Sequence, residues 1–256
     1  MSHTSMKKVL LIKSVVIALL STNSITYADL HIQRWQNKGV DVDVVKIDQP
    51  QNLRLFLNDN QTHQSLGKFK AVAKQLKPCE KLLFAMNAGM YHADYAPVGL
   101  YVEAAQQQQK LNTVKQAYGN FHLQPNGVLA WNSKQSLIAT TQDYQKLNFN
   151  AEYATQSGPM LVIDGQINPQ FLKDSDSFKI RNAVGIKDQS LYFVISRNAV
   201  SFYQFAQFFQ QQLKVQNALY LDGSISSAYI PQLKRFDSRF NLGPMVAYIE
   251  QKNCAT

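Results

Sequence analysis

The spacing of apolar and polar residues divides the chain into many short strands. Residues 40–44 alternate valine with aspartate, and residues 53–57 form a largely apolar run, so we predict two neighbouring strands there. The glutamine tract 106–109 has no such pattern, and we interpret it as a hairpin or loop tip. Further strands are predicted where short apolar runs are bounded by turn residues, at 82–86, 128–131, 136–140, 160–163, 183–186, 191–195, 218–221 and 244–249.

Two other segments have apolar residues at helical spacing. The first runs from 66 to 76 and ends before Pro78, with Ser65 as the expected N-cap. The second runs from 202 to 213, with Ser201 as the expected N-cap. Many strands and only two main helices predict an α+β fold with a large mixed or antiparallel sheet system in a single domain.

The N-terminal segment has the layout of a secretory signal peptide. Basic residues precede an apolar run over residues 9–20, and small and polar residues follow up to Ala28. We predict cleavage after Ala28, which divides the chain into a signal peptide at 1–28 and a domain at 29–256. An uncleaved N-terminal anchor is the alternative. Cleavage predicts a periplasmic or secreted protein with no stable membrane insertion.

The charge of the chain narrows the class of binding partner. The 256 residues have a net charge of +9, but the lysines are scattered along the chain. This argues against nucleic acid as a partner and leaves anionic glycans or phosphates open.

Cys79 and Cys254 are the only cysteines of the sequence. In an oxidising compartment we predict a disulfide between them, with two unpaired thiols as the alternative.

Asp222 is the first candidate for chemistry because it follows an apolar strand directly. The next residues are Gly223 and then Ser224, Ser226 and Ser227 within a short turn. A carboxylate at such a strand end is held rigidly while its head reaches a cleft, and the serine hydroxyls can bind phosphate or sugar oxygens. A structural Asp-Gly turn, whose side chain binds its own backbone, is the alternative.

Three more polar clusters lie at the ends of predicted strands. They are Asn87 with Gly89, Gln156 with Ser157 and Gly158, and Arg181 with Asn182. A guanidinium at the start of a buried strand can hold a phosphate with two hydrogen bonds, whereas a structural ion pair is the alternative for Arg181. Several such clusters together favour one shared site.

Six motifs between residues 82 and 249, in this order, resemble the phosphodiester glycosidase family, which includes the catalytic domain of the mannose 6-phosphate uncovering enzyme. They are Asn87-Ala88-Gly89-Met90-Tyr91, Pro97-Val98-Gly99-Leu100, Pro125-Asn126-Gly127, Gln156-Ser157-Gly158-Pro159-Met160-Leu161, Arg181-Asn182-Ala183-Val184-Gly185 and Leu219-Tyr220-Leu221-Asp222-Gly223-Ser224-Ile225-Ser226-Ser227. The chain is most similar to the exported bacterial branch of this family. It departs from the family pattern at Ser224-Ile225 and at Ala88, where glycines are usual.

The resemblance implies hydrolysis of a glycosyl-1-phosphodiester at the anomeric carbon of the sugar. It implies that Asp222 is the base or nucleophile, that Arg181 is a phosphate clamp, and that the other strand-end residues contact the substrate. Asn87 is counted with Asp222 and Arg181 as catalytic, through a hydrogen bond to the sugar or phosphate. The substrate contacts are assigned to Gly89, Gln156, Ser157, Gly158, Asn182, Gly223, Ser226 and Ser227. A noncatalytic envelope protein that binds phosphorylated glycans through the same cleft is the alternative.

Other candidate groups are weaker. His92 and Asp94 lie two residues apart, but two ligands do not make a metal site, and we expect neither a metal nor a cofactor. Glu103 and Asp164 are the remaining carboxylates near family-like motifs, and either is a candidate for the second carboxylate that glycosidases usually need.

Overall fold

The computed structural model describes residues 25–27, 29–222 and 225–252. Most of the predicted signal peptide therefore lies outside the described residues. Ile25–Tyr27 is the exception, and it forms the first strand. Over the described part of the chain, no helix is long and apolar enough to cross a membrane.

Within the described residues, eighteen strands account for most of the regular structure. They are β1 (Ile25–Tyr27), β2 (Leu30–Asn37), β3 (Val40–Ile47), β4 (Leu53–Phe56), β5 (Glu80–Asn87), β6 (Tyr101–Glu103), β7 (Gln106–Gln109), β8 (Gly127–Trp131), β9 (Ser136–Thr140), β10 (Tyr153–Ser157), β11 (Met160–Ile163), β12 (Gln166–Ile167), β13 (Asn182–Lys187), β14 (Ser190–Ser196), β15 (Asn217–Tyr220), β16 (Ala228–Ile230), β17 (Arg235–Phe236) and β18 (Met245–Gln251).

The α-helices are few and short. They are α1 (Phe69–Gln75), α2 (Thr141–Tyr144) and α3 (Phe202–Gln207). A π-helix at Phe208–Leu213 continues α3, and 3-10 turns lie at Pro50–Asn52, Asn120–His122 and Pro231–Leu233. Only α1 and α3, with its continuation, match the two predicted main helices.

The strands form three sheets. Sheet I has the order β1-β2-β3-β14-β13-β15-β11-β12, sheet II the order β7-β6-β10-β8-β9, and sheet III the order β17-β16-β5-β18-β4. Every strand pairing among the described residues is antiparallel. The predicted single-domain α+β fold with a large sheet system is confirmed, since residues of all three sheets pack into one core.

Side chains alternate between two buried faces in sheets I and III. In β14, Phe193 and Ile195 point into the central core, whereas Val194 packs on the side of α3. In β5, Phe84 faces the central core and Ala85 packs on the side of α1. Strands buried on both faces read as continuous apolar runs, which is why they were predictable from the sequence.

The two predicted N-caps have different outcomes. Ser201 is confirmed, because its hydroxyl accepts from the backbone N–H of Gln204 and the Gln204 side chain accepts in return. Ser65 is wrong. The helix begins at Phe69, and Ser65 instead forms a β-bridge, because Gly67 with φ 62° keeps this segment out of the helical conformation.

Two strand predictions also need correction. The glutamine tract is not a loop tip but the edge strand β7, with the turn at Ala104 and Ala105, both at positive φ. An edge strand pairs through its backbone and can leave polar side chains in solvent. Strands β3 and β4 are both formed, but they lie in different sheets and are not neighbours.

Candidate active site

Three strand ends meet through the side chain of Asn182. Strand β5 ends at Asn87, β13 begins at Asn182, and β15 ends two residues before Asp222. The Asn182 Nδ2 donates to the backbone oxygen of Asn87 at 2.9 Å and to its Oδ1 at 3.1 Å. The Asn182 Oδ1 accepts from the backbone N–H of Asp222 at 3.1 Å. These hydrogen bonds join sheets I and III, and we call them the Asn87–Asp222 network.

The serines after Asp222 complete this network. The Ser226 hydroxyl donates to the backbone oxygen of Asp222 at 2.7 Å. The Ser227 backbone N–H donates to Asn87 Oδ1 at 2.9 Å. Gly223 and Ser224, two predicted members of the site, lie outside the described residues. The turn is therefore tied to both sheets on either side of that pair.

Asn87 has an unused hydrogen-bond donor. Its side chain is fully buried, and its Oδ1 already accepts two hydrogen bonds. Its Nδ2 has no partner among the described residues. A buried donor without a partner costs about 1–3 kcal/mol unless a water molecule or a ligand accepts its hydrogen bond.

Two tyrosines lie within electrostatic reach of Asp222. Burial, aided by the negative charge of Asp222, raises the pKa of Tyr91 to about 12. Burial also raises the pKa of Tyr220, to which Asp222 contributes in the same direction. Both hydroxyls are therefore protonated at neutral pH. The Tyr91 hydroxyl donates to the backbone oxygen of Asn241 at 2.6 Å, and the Tyr220 hydroxyl accepts from an Nη of Arg181 at 3.3 Å. Sequence reasoning assigned no role to Tyr91, although it belongs to the same motif as Asn87.

Gln156 is turned away from this network and fully satisfied within the fold. Its Oε1 accepts from the backbone N–H groups of Leu100 and Asn112. Its Nε2 donates to the backbone oxygen of Asn112 at 2.7 Å and to the Thr141 hydroxyl at 2.9 Å. The amide joins three chain segments and has no hydrogen-bonding capacity left for a substrate. Its predicted substrate contact remains untested, but the geometry favours a structural role.

Ser157, Gly89 and Gly158 support the site by close packing. The Ser157 hydroxyl donates to the backbone oxygen of Leu221 at 2.6 Å, which fixes the end of β15 before Asp222. A Cβ on Gly89 would lie 2.6 Å from the Thr155 hydroxyl oxygen, and a Cβ on Gly158 would lie 2.7 Å from a neighbouring side-chain carbon. Both glycines are therefore required by the approach of neighbouring segments.

Arg181 is buried beneath the site. Its Nε donates to the backbone oxygen of Val200 at 2.9 Å and an Nη to that of Ser177 at 2.8 Å. The guanidinium carbon lies 3.7 Å from the centre of the Phe202 ring, and a further Nη donates to the Tyr220 hydroxyl at 3.3 Å. Burial lowers its pKa. Neither the ion pair nor the phosphate clamp is seen in this arrangement, so the clamp stays a prediction.

A basic cleft of about 740 Å³ opens beside the network. Its lining includes Ser226 and Ser227, which belong to both. Four basic residues also line the cleft, namely Lys179, Arg197, Arg235 and Arg239, together with one acidic residue, Asp237. The sequence analysis identified none of these five, because they come from segments that are distant along the chain.

The other predicted chemical groups lie apart from the network. Glu103 accepts from the Tyr101 hydroxyl at 2.6 Å, and burial raises its pKa. Asp164 occupies a hairpin turn at φ 48°. The described residues contain no group of three or more His, Cys, Asp or Glu that could hold a metal. Cys79 is disulfide-bonded, and its predicted partner Cys254 lies outside the described residues.

These strand-end motifs belong to a known class of hydrolases. Residues 80–242 match the model of the phosphodiester glycosidase family, and the chain belongs to that family. The predicted resemblance is therefore confirmed.

Two known proteins are similar to this chain. It is 38% identical over 168 residues to the uncharacterized protein YigE of Escherichia coli (strain K12), a match that spans 65% of each protein. The fold is similar to the zebrafish N-acetylglucosamine-1-phosphodiester α-N-acetylglucosaminidase catalytic domain, auto-inhibited by its pro-peptide, with a TM-score of 0.62 and 14% identity over 93% of this chain and 86% of that one. This likeness shows the shared fold.

Proposed function

We propose that the protein hydrolyses a glycosyl-1-phosphodiester in a glycan or a cell-envelope polymer. The observation that carries the proposal is the Asn87–Asp222 network, in which Asn182 holds the backbone of Asp222 and the buried amide of Asn87, with its unused donor, together at the ends of three strands. Membership of the phosphodiester glycosidase family supports the reaction class.

The proposed reaction breaks the bond between the anomeric carbon and the phosphate oxygen. The electron pair leaves with that oxygen, so the aglycone departs as a phosphate monoester. Asp222 acts in one of two ways. As a base it takes a proton from the water that adds to the anomeric carbon, and as a nucleophile it forms a glycosyl ester that water then hydrolyses.

A phosphate leaving group reduces the need for a second carboxylate. Ordinary glycosidases use an acid to protonate a poor leaving group, whereas a phosphate monoester leaves as a stable anion. This agrees with the structure, since among the described residues no other carboxylate hydrogen-bonds to Asn87, Asn182, Ser226 or Ser227. In this proposal, Asn87 Nδ2 donates to a sugar or phosphate oxygen as charge develops.

The proposed compartment is the periplasm or the exterior of the cell. Support comes from the predicted signal peptide and from Cys79, which is disulfide-bonded as expected in an oxidising compartment. A phosphorylated glycan of the envelope would meet the protein there, and the basic cleft would attract its negative charges.

A noncatalytic glycan-binding protein is the second candidate. The observation in its favour is that Ser224 and Ile225 replace two glycines usual in the family, which adds bulk beside Asp222. The same polar network would then bind the phosphodiester without cleaving it.

Incubation of the purified protein with uridine-diphosphate α-linked N-acetylglucosamine, or with an aryl phosphodiester of this sugar, separates the two candidates. Release of free N-acetylglucosamine supports the hydrolase. Binding without release supports the glycan-binding protein. Failure to bind or cleave either compound would count against both, for this sugar.

A further inference from the structure

We infer that the basic cleft is an anion subsite that binds a second negative group of the aglycone, beyond the phosphodiester that is cleaved. This rests on the proposed function, because the cleft is connected to the Asn87–Asp222 network through Ser226 and Ser227. The substrate class that fits is a sugar phosphodiester whose aglycone carries a further phosphate, as in a poly(phosphodiester) chain or a sugar diphosphate.

The carboxylates near the cleft are already neutralised by two arginines. Asp43 is fully buried, and its oxygens lie 2.7 Å from Arg197 Nε and 3.0 Å from an Nη of Arg235. Arg235 Nε also lies 2.7 Å from Asp237. These three ion pairs form one chain of alternating charge, which fixes both arginines in the cleft wall.

Two further cations have no such partner. Lys179 and Arg239 line the same cleft, are exposed, and form no ion pair with any described residue. In and behind the cleft wall, the four cations are balanced by only two carboxylates, those of Asp43 and Asp237. This leaves a surplus of two positive charges. Like charges held in one concave site repel each other, and a bound dianion relieves that repulsion.

The cleft is also large enough for this role. A volume of about 740 Å³ exceeds what one phosphate group needs and lies within the range of small-molecule sites. Lys179 lies two residues before Arg181, and its backbone forms a β-bridge with Val200. Its side chain therefore starts from a rigid element. The Ser226 hydroxyl lies 3.2 Å from the backbone oxygen of Ile180, the residue after Lys179, so the Asn87–Asp222 network adjoins the cleft beside one of the two free cations.

The test compares two substrates that differ only in the second anion. Both are α-1-phosphodiesters of N-acetylglucosamine, one with an ethyl and one with a 2-phosphoethyl aglycone. The double variant Lys179→Gln, Arg239→Gln should lower kcat/KM for the 2-phosphoethyl diester about tenfold more than for the ethyl diester, mainly through KM. Lys134→Gln, an exposed lysine on the β8–β9 turn, is the matched control and should leave the ratio unchanged.

A binding measurement separates this inference from the proposed function. Titration of ethane-1,2-diyl bisphosphate into the wild type and the double variant should give a Kd about tenfold weaker in the variant, and the difference should shrink at high salt. Equal Kd values, or an unchanged substrate ratio, would overturn the anion subsite even if both diesters are cleaved. If neither diester is cleaved, the proposed function fails for this sugar, and the Kd comparison still decides the anion subsite.

Discussion

Two buried amides near strand ends, Gln156 in β10 of sheet II and Asn87 in β5 of sheet III, have opposite hydrogen-bonding states. Gln156 uses both its donors and its acceptor within the fold, where it joins the backbone at Asn112 to Thr141. Asn87 uses only its acceptor and leaves Nδ2 without a partner among the described residues. Stability alone favours the first arrangement, and under the proposed function the second leaves a donor for the substrate.

The largest effect on activity is expected at Asp222. The variant Asp222→Asn removes the base or nucleophile but keeps the shape of the side chain, and its backbone N–H can still donate to Asn182. We expect kcat/KM for sugar release to fall about 10³-fold with little change in the melting temperature. Steady-state kinetics and thermal unfolding measure the two quantities, and full turnover in this variant would remove Asp222 from the mechanism.

A smaller loss of activity is expected for Asn87→Asp. This variant keeps the oxygen that accepts from Asn182 and Ser227, replaces the unused donor with an acceptor, and adds an ionisable carboxyl group at a fully buried position. We expect turnover to fall about 10²-fold, the usual effect of losing one donor to developing charge. The kinetic assay is the same, and wild-type turnover would show that Nδ2 has no part in the reaction.

The matched variant Gln156→Glu should act on stability instead. The new carboxylate oxygen would face the backbone oxygen of Asn112, which now accepts a hydrogen bond at 2.7 Å. Two opposed acceptors and a lost bond to Thr141 should lower the free energy of unfolding by about 2–3 kcal/mol. Denaturant titration measures this loss. A stable variant with reduced turnover would contradict the structural role.

Arg181→Lys tests whether that cation braces the fold or holds phosphate. A lysine cannot reproduce the fork that reaches Val200 and Ser177 or the stacking on Phe202, so the free energy of unfolding should fall by about 1–3 kcal/mol. We expect the KM of the folded enzyme to change less than twofold. A large rise in KM at unchanged stability would instead support the predicted phosphate clamp.

The smallest effect is a pH dependence at Glu103, on the Gln156 side of the molecule. Burial raises the pKa of Glu103 above its usual value of 4.5, so the folded state binds this proton more tightly than the unfolded chain. The resulting stability is complete below pH 4.5 and is lost as the pH rises through the folded pKa. Glu103→Gln should therefore gain stability relative to the wild type across that pH range, without a change in turnover. Parallel unfolding curves at acidic and neutral pH measure this, and a constant difference would contradict it.

The sequence predicted the core strands well because their side chains are buried on both faces. Strands β5, β13 and β15 appear as short apolar runs for this reason. Strand β10 was missed, since Tyr153–Ser157 ends in polar residues that are buried against distant partners. The polar tract β7 was misread because backbone pairing at a sheet edge leaves no periodic signal in the side chains.

The predicted grouping of strand-end residues was found for only part of the proposed site, since Gln156 and Arg181 bond elsewhere in the fold. Their position at strand ends predicted that Asn87, Asn182 and Asp222 lie together, and the hydrogen bonds of Asn182 link these three strand ends. Which amide is saturated depends on partners far along the chain, as with Gln156 and Asn112. The cations of the cleft, such as Arg239, carry no local signal that distinguishes them from solvated surface residues.

The most direct test of the central claim is turnover per folded molecule for Asn87→Asp and Gln156→Glu, measured side by side on the same α-linked N-acetylglucosamine phosphodiester. Our account predicts a loss of about 10²-fold for Asn87→Asp and near wild-type turnover for the folded fraction of Gln156→Glu. Equal losses in the two variants, or the larger loss at Gln156, would contradict the assignment of the active site to the Asn87–Asp222 network.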